Sequence, residues 1–150
     1  MTSLALATAL QMALVAAAPQ DYATAAQDYA TAAQRSAELG RPLVVLVGAT
    51  WCPGCQVMSN RTMPAVAEAG GLEGVEYAYV DADQQPELAR QLLRGSSIPQ
   101  LVRFDRVGDQ WQVRHMIGAQ SPDEVAAFVD ARQGALRLSS FEKPVTPRGR

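Results

Sequence analysis

The stretch LVVLVGATWCPGC, residues 43 to 55, constrains the fold of this chain more than any other segment. It joins a β-branched apolar run, typical of a buried strand, to the two cysteines of the chain, Cys52 and Cys55. Pro53 suits the first turn of a helix, where its missing N–H group has no hydrogen bond to lose. The segment therefore predicts a buried strand that leads directly into a helix with Cys52 at its N-terminus.

Cys52 and Cys55 in this position can exchange disulfides with other molecules. The first turn of a helix presents unpaired N–H groups and the positive end of the helix dipole, which favour a thiolate and lower the pKa of the thiol. Cys52 is therefore the expected attacking sulfur. Cys55 lies three residues later on the same helical face, where it can resolve a mixed disulfide. Gly54 adds no side chain that would shield the pair from a substrate.

The cysteines also allow two other uses, a structural disulfide and a metal site. Closing so short a loop removes little entropy from the unfolded chain, so a structural disulfide would add little stability. Zinc normally takes four ligands, and the chain has one CxxC motif and a single histidine, His115, far away in sequence. A metal-binding module or metallochaperone that holds Cu(I) or zinc between the cysteines is the alternative function, and a non-catalytic docking domain is a third.

Length and composition indicate one domain that does not bind nucleic acid. A chain of 150 residues with 48% apolar side chains is long enough for one buried core. Thirteen basic and fifteen acidic residues give a formal charge of -2, and no basic stretch inside the chain could follow a phosphate backbone. No Gly-x-Gly-x-x-Gly pattern follows a predicted strand, so we expect no nicotinamide or flavin cofactor. We also expect a monomer.

Three polar side chains could suggest further sites, and we expect none of them to form one. His115 alternates with apolar residues on a predicted strand, so we expect it to be a packing or surface residue. Asp81 and Asp83 lie in a short acidic loop that lacks the ligand cage of a hard cation, so we expect both carboxylates to be solvated.

The N-terminal sequence predicts export from the cytoplasm. An apolar run from Leu4 to Val15 is followed by alanines that a signal peptidase recognises, which makes residues 1–18 a signal peptide cleaved after Ala17 or Ala18. The run is shorter than the roughly 20 apolar residues of a transmembrane helix. Export predicts a periplasmic or secreted protein. The alternative is a cytoplasmic protein that begins with an alanine-rich helix.

Residues 19–133 then form one domain with an N-terminal helix, and residues 134–150 form a flexible tail rich in Pro, Gly, Ser and basic residues. At the start of the domain, residues 21–34 repeat the unit DYATAAQ, whose Tyr and Ala residues recur at helical spacing. The repeat predicts one amphipathic helix that runs to about Leu39, where Gly40 ends it.

The rest of the domain alternates strands and helices. A capping box at Ser121 and Glu124 marks the start of the last helix. The order strand, helix, strand, helix, strand, strand, helix calls for a parallel crossover in the first half and an antiparallel pair in the second. We expect strands at 43–48, 75–80, 97–104 and 110–117, and helices from Pro53 with a kink or break at Pro64, from Pro86 to Arg94, and from Pro122 to about Gln133.

Several of these features, in this order, resemble the thioredoxin superfamily. They are WCPGC after a buried strand, the stretch VDADQQPELA, Ser97-Ile98-Pro99 before a strand, and Gly118 before the final helix, and they cover about residues 35–133. The resemblance implies an α/β fold, a thioredoxin-like three-layer sandwich with a central mixed β-sheet and helices on both faces. It also implies a protein-disulfide oxidoreductase whose partners are proteins that carry disulfides.

The resemblance assigns substrate-binding residues around the cysteines. Pro99 is expected to be a cis-proline that faces the cysteines, and the backbone of Ile98 to pair with a substrate segment as an added strand. Trp51 is expected beside the reactive sulfur, in a docking surface that also includes Pro53 and Gly54.

Within the superfamily, the stretch around Met58 and Thr62 looks closer to envelope thiol:disulfide interchange domains than to cytosolic thioredoxin. This closer resemblance implies an upstream thiol electron donor, which could be a membrane protein. The order Pro-Gly between the cysteines departs from the Gly-Pro of thioredoxin. Gln100 also departs, because a threonine usually follows the cis-proline.

The most consequential departure is Leu46, which occupies the strand position where thioredoxins bury an aspartate. That aspartate helps to move the proton of the second cysteine, which is Cys55 here. The lysine that usually accompanies it is also missing, and Tyr79 takes its place. We therefore expect proton transfer to and from Cys55 to rely on water or on the substrate.

Overall fold

The structure of the protein is a computed structural model that describes residues 28–130. The predicted signal peptide, the first copy of the DYATAAQ unit and the predicted tail lie outside the described residues. The elements run in the order α1 (Tyr29–Leu39), β1 (Leu43–Gly48), α2 (Pro53–Val57), a π-helical turn (Met58–Thr62), α3 (Met63–Glu68), β2 (Glu76–Asp81), α4 (Pro86–Leu92), β3 (Gln100–Val107), β4 (Gln110–Ile117) and α5 (Pro122–Val129).

Four strands form a mixed sheet in the spatial order β2-β1-β3-β4. β1 pairs in parallel with β2, which follows it through α2 and α3, and pairs antiparallel with β3. β3 and β4 form an antiparallel hairpin, whose turn contains Gly108 at a φ of +60°. The predicted parallel first half and antiparallel second half are confirmed.

Helices cover both faces of the sheet, and β1 is buried along its whole length. Val44 and Leu46 point to one face, where they pack with residues of α3 and α5. Val45 and Val47 point to the other face, where residues of α1 and α4 cover them. A central strand covered on both faces needs a continuous apolar run, which LVVLVG supplies. The predicted three-layer sandwich is confirmed.

The first helix begins later than the sequence repeat predicts. Asp28 is extended, and its side chain accepts a hydrogen bond of 3.0 Å from the N–H group of Thr31. Such an N-cap begins a helix because it satisfies an N–H group that has no partner within the helix. The prediction of one continuous helix through both copies of the repeat is therefore wrong, because the chain is extended at Asp28. Gly40 ends the helix in the left-handed conformation, as predicted.

The helix that carries the cysteines continues past Pro64 instead of breaking there. Its middle widens into the π-helical turn, and regular α-helix resumes at Met63. Pro64 has no N–H group to donate to the preceding turn, and its ring crowds that turn. A wider turn accommodates both effects while the helix axis continues.

Other element boundaries differ by a few residues from the prediction. The helix from Pro86 ends at Leu92, and Leu93 is already extended. β3 begins after the proline, at Gln100. The last helix has the predicted capping box but ends at Val129, ahead of the predicted end. Among residues 28–130, none of the helices has the length and apolar character needed to span a membrane.

Candidate active site

Cys52 and Cys55 are joined by a disulfide at the start of α2. Cys52 is the N-cap of the helix, and its Sγ accepts a hydrogen bond of 3.2 Å from the N–H group of Cys55. Cys52 is 6% exposed and Cys55 is 1% exposed, so Cys52 is the outer sulfur but is less accessible than the sequence suggests. When the disulfide opens, the unpaired N–H groups of the helix end can stabilise a thiolate at Cys52.

The segment before β3 borders the outer sulfur. The Ile98–Pro99 peptide bond is cis, as expected, and the carbonyl oxygen of Ile98 lies 4.0 Å from Sγ of Cys52. The N–H group of Gly118 donates a 2.8 Å hydrogen bond to the carbonyl oxygen of Pro99, which ties the proline to the end of β4. Gly118 has a φ of +88°, a conformation that favours glycine.

Gly54 packs α2 against the cis-proline. A Cβ atom on Gly54 would lie 3.3 Å from Cδ of Pro99 and 3.5 Å from Cβ of Ala119. The sequence indicated that a glycine leaves the cysteines open to a substrate. The structure adds a packing reason, because a side chain here would press on the cis-proline and on the loop after β4.

Two side chains of the π-helical turn hold the loop after β4, a role that the sequence did not indicate for either of them. Thr62 Oγ1 donates a 3.1 Å hydrogen bond to the carbonyl oxygen of Gln120, whose N–H group donates to Sδ of Met58 at 3.4 Å. Both side chains are buried. They fix the surface against which Gly54 packs. The spacing of four residues between Met58 and Thr62 is the sequence signal that could have indicated a shared contact.

Trp51 lies on the surface beside the cysteines, with 67% of the residue exposed. Its Nε1–H group donates a 2.8 Å hydrogen bond to the carboxylate of Asp83. Asp81 is buried, and its carboxylate accepts hydrogen bonds from the N–H groups of Asp83 and Gln84. The prediction that both carboxylates are solvated is therefore wrong for Asp81, because it shapes the loop that positions Asp83 against the indole.

Gln100 has a structural role that the sequence did not indicate. Its side chain is fully buried immediately after the cis-proline. Nε2 donates to the carbonyl oxygens of Arg94 and Ser97, and Oε1 accepts from the N–H group of Arg94. Gln100 therefore anchors the turn that leads into the proline segment.

His115 lies on β4 opposite Val102, in agreement with the expected packing role. Burial lowers the pKa of His115, and the charge of Arg94 lowers it further. The Nδ1 atom is buried without a hydrogen-bond partner. Residues 28–130 contain no cluster of three or more His, Cys, Asp and Glu side chains that could hold a metal ion.

The inner side of Cys55 faces β1 and β2. Leu46 is fully buried in the apolar cluster that contains Met58. Two residues later, a Cβ atom on Gly48 would lie 3.1 Å from Sγ of Cys55 and 3.4 Å from the hydroxyl oxygen of Tyr79. Tyr79 pairs with Leu46 in the parallel ladder. The inner side thus has one phenol hydroxyl across the glycine from the sulfur, and the family resemblance places the buried Leu46 there as an apolar floor.

A family model and several solved structures match the chain, and all of them are thioredoxins or thioredoxin-like proteins. The family model described as Thioredoxin matches residues 22–131. No curated protein sequence matches the chain. A thioredoxin from Thermus thermophilus, in a solution structure, is 23% identical with a TM-score of 0.58, and the match covers 82% of this chain and 95% of that chain.

Two further solved structures have slightly higher sequence identity. Trxlp from Edwardsiella tarda is 26% identical with a TM-score of 0.55, and the match covers 69% of this chain and 95% of that chain. Thioredoxin from Fasciola hepatica is 25% identical with a TM-score of 0.52, with 67% and 89% covered. The chain thus spans nearly the full length of these proteins.

Proposed function

The chain belongs to the thioredoxin family of thiol:disulfide oxidoreductases, and on that premise we propose that it exchanges disulfides with proteins of the cell envelope through Cys52 and Cys55. One observation carries the proposal. The two sulfurs form a disulfide at a helix N-terminus, bordered by the cis peptide bond before Pro99. A structural disulfide would need neither a helix end to stabilise a thiolate nor a backbone segment beside the outer sulfur.

The exchange has two steps. In the reduced protein, the thiolate of Cys52 attacks a substrate disulfide, breaks its S–S bond and remains joined to one substrate sulfur while the other leaves as a thiolate. Cys55 then loses its proton and attacks Sγ of Cys52, which forms the Cys52–Cys55 bond and releases the second substrate thiolate. Two electrons pass to the substrate, and an upstream thiol donor returns them. The lower exposure of Cys55 supports this division of roles.

The substrate would lie across the outer side of the disulfide. Trp51 offers an exposed apolar surface beside the sulfurs, and Pro53 is exposed on the first turn of α2. Ile98 is half-buried, and its backbone is the group expected to pair with an extended segment of the substrate. Between these groups, half-buried Gly54 packs against the buried ring of Pro99.

The envelope location rests on the sequence of residues 1–18, with Leu4 to Val15 as the apolar part of a signal peptide. The mature protein would be a monomer with the domain at 19–133 and a tail at 134–150. Its thiol donor would then be located in the membrane or outside the cytoplasm, since an exported protein has no contact with the cytoplasmic thiol pool. Nucleic acid has no part in this function.

Insulin reduction with dithiothreitol as donor tests the exchange activity. The protein should accelerate precipitation of the insulin B chain, and the variant C52A should not, because it lacks the attacking sulfur. A wild-type rate equal to that of dithiothreitol alone contradicts the proposed activity.

The intact mass of the protein purified from its native host tests the location. We expect the loss of 17 or 18 N-terminal residues, which corresponds to cleavage after Ala17 or Ala18. Recovery of the full-length chain from the cytoplasm contradicts export and moves the proposed role to cytoplasmic reduction.

A further inference from the structure

Cys55 must lose a proton before it can attack the mixed disulfide, and its surroundings offer few groups that could take part. Only the thiolate is an effective nucleophile in disulfide exchange. Cys55 is 1% exposed, and Leu46 is fully buried on the neighbouring strand. A leucine neither accepts a proton nor hydrogen-bonds a thiolate. The proton therefore needs a route from Cys55 past the apolar floor to solvent.

Gly48 packs closely against the inner side of Cys55. An added Cβ atom would stand 3.0 Å from Cβ and 3.1 Å from Sγ of Cys55, so any larger residue would crowd the cysteine. The same position is 3.4 Å from the hydroxyl oxygen of Tyr79. The Tyr79 hydroxyl and the Cys55 sulfur therefore both lie beside Gly48, at the end of β1.

The other side of Tyr79 is in contact with solvent-accessible space. Tyr79 is half-buried, and it lines a cavity of about 420 Å³ on the surface beside α2. The remaining lining is uncharged: Ala49, Thr50, Gln56, Ser59 and Asn60. Tyr79 thus lies between the region of the buried sulfur and a surface cavity whose wall has no charged side chain.

The charged groups that act on Tyr79 are Asp81 and Asp83. Burial raises the pKa of Tyr79, and these two carboxylates raise it further. The carboxylate of Asp81 is already engaged by the N–H groups of its own loop, and that of Asp83 by the indole of Trp51. The phenol is therefore protonated near neutral pH, where a hydroxyl can donate one hydrogen bond and accept another.

From this geometry we infer that Tyr79, whose hydroxyl lies beside Gly48 and Cys55, relays the proton of Cys55 to solvent, which Leu46 cannot do. The inference rests on the proposed exchange function. In the resolving step, the proton leaves Sγ of Cys55 toward the hydroxyl, which passes its own proton to water in the cavity. Tyr79 ends the step unchanged and donates a hydrogen bond toward the new thiolate. The thiolate then forms the Cys52–Cys55 bond, and the departing substrate thiolate takes a proton from solvent.

The variant Y79F removes the hydroxyl and keeps the ring, and Y77F is its matched control. Tyr77 lies two residues earlier on the same strand, is likewise packed in the apolar cluster, and pairs with Val44 instead of Leu46. Y77F therefore loses the same atom from the same face of the sheet. A general loss of packing would affect both variants, whereas loss of the relay affects Y79F alone.

The test is rapid mixing of each reduced protein with excess 5,5′-dithiobis(2-nitrobenzoate), followed by the absorbance of the released thiolate. Cys52 releases the first equivalent in a step that depends on reagent concentration. Cys55 releases the second in a step that does not. We expect Y79F to slow the second release about tenfold, the rate equivalent of one hydrogen bond, and to move the midpoint of its pH profile upward. The first release should be unchanged.

Equal rates and equal pH profiles for the second release in Y79F and Y77F would overturn the relay. Release of a single equivalent by the wild type, with a persistent mixed disulfide, would instead overturn the proposed exchange function, and the relay with it. The two failures are therefore distinguishable in the same recording.

Discussion

The two sides of the Cys52–Cys55 disulfide are built from different parts of the chain. The outer side consists largely of backbone, with the carbonyl oxygen of Ile98 at 4.0 Å from Cys52 and the loop at Gly118 tied to the proline. The inner side includes the hydroxyl of Tyr79, and the family resemblance places the buried Leu46 there as an apolar floor. Substrate contact in this protein is thus expected to depend on backbone geometry, and proton transfer on the identity of particular side chains.

The largest expected effect separates the two sulfurs themselves. C55A keeps the outer attacking thiol and loses the inner one, so it should accumulate a mixed disulfide with a protein substrate. C52A should accumulate none, because Cys55 is too deeply buried to attack a protein directly. Non-reducing gels and intact mass after incubation with oxidised insulin would show the difference. Equal trapping by the two variants would mean that the outer and inner positions are not distinct.

The next effect concerns the floor of the inner side. L46D places a carboxyl group in a fully buried apolar position, which should lower the free energy of unfolding by about 3 kcal/mol or more. Burial should raise the pKa of this carboxyl above its unfolded value, so the variant should lose stability as pH rises from about 4 through the folded-state pKa. Urea unfolding between pH 4 and pH 8 measures both the loss of unfolding free energy and the direction in which it changes with pH.

The same variant should also change the chemistry. A buried carboxylate near Cys55 can accept its proton, so L46D should reduce insulin faster and add a titration near neutral pH. L46N is the matched control, because it has nearly the same shape and cannot take up the proton. If L46D and L46N have the same rates and pH profiles, Leu46 does not face Cys55 closely enough to matter.

The smallest effect probes the outer side. T62V removes the hydrogen bond from Thr62 to the carbonyl oxygen of Gln120 and preserves the shape of the side chain. We expect a loss of about 1 kcal/mol of stability and a higher KM for insulin with little change in kcat, because the loop beside Gly54 is less well fixed. S59A changes a hydroxyl in the same π-helical turn without touching the loop. An equal KM for T62V and S59A would contradict a role for the loop in substrate contact.

The sequence predicted the start of α2 well because local rules determine it. A buried apolar run, a proline in the first helical turn and a CxxC pair at that turn leave one arrangement for the start of α2. The capping box at Ser121 likewise fixed the start of the last helix. The cis peptide bond before Pro99 was expected from the family resemblance, and the residues alone would not have shown it.

The family resemblance indicated Leu46 and Tyr79 for the inner side, but its contacts could not be predicted from the sequence, because they join residues far apart in the chain. The close approach at Gly48 becomes visible when Tyr79 and Cys55 are brought to it from two other elements. The buried hydrogen bonds of Gln100 and the contacts of Thr62 have the same origin. The start of α1 is different, because Asp28 is an N-cap residue within the repeat and its type could have indicated that start from the sequence.

The most direct test of the central claim is the redox equilibrium of the Cys52–Cys55 pair in glutathione buffers, with metal analysis of the reduced protein. A reversible two-electron transition between about −270 and −120 mV, the span of thioredoxin-like dithiols, is expected, with no stoichiometric metal. The absence of any transition in that range, or one zinc or copper ion bound for each pair of reduced cysteines, would contradict the account.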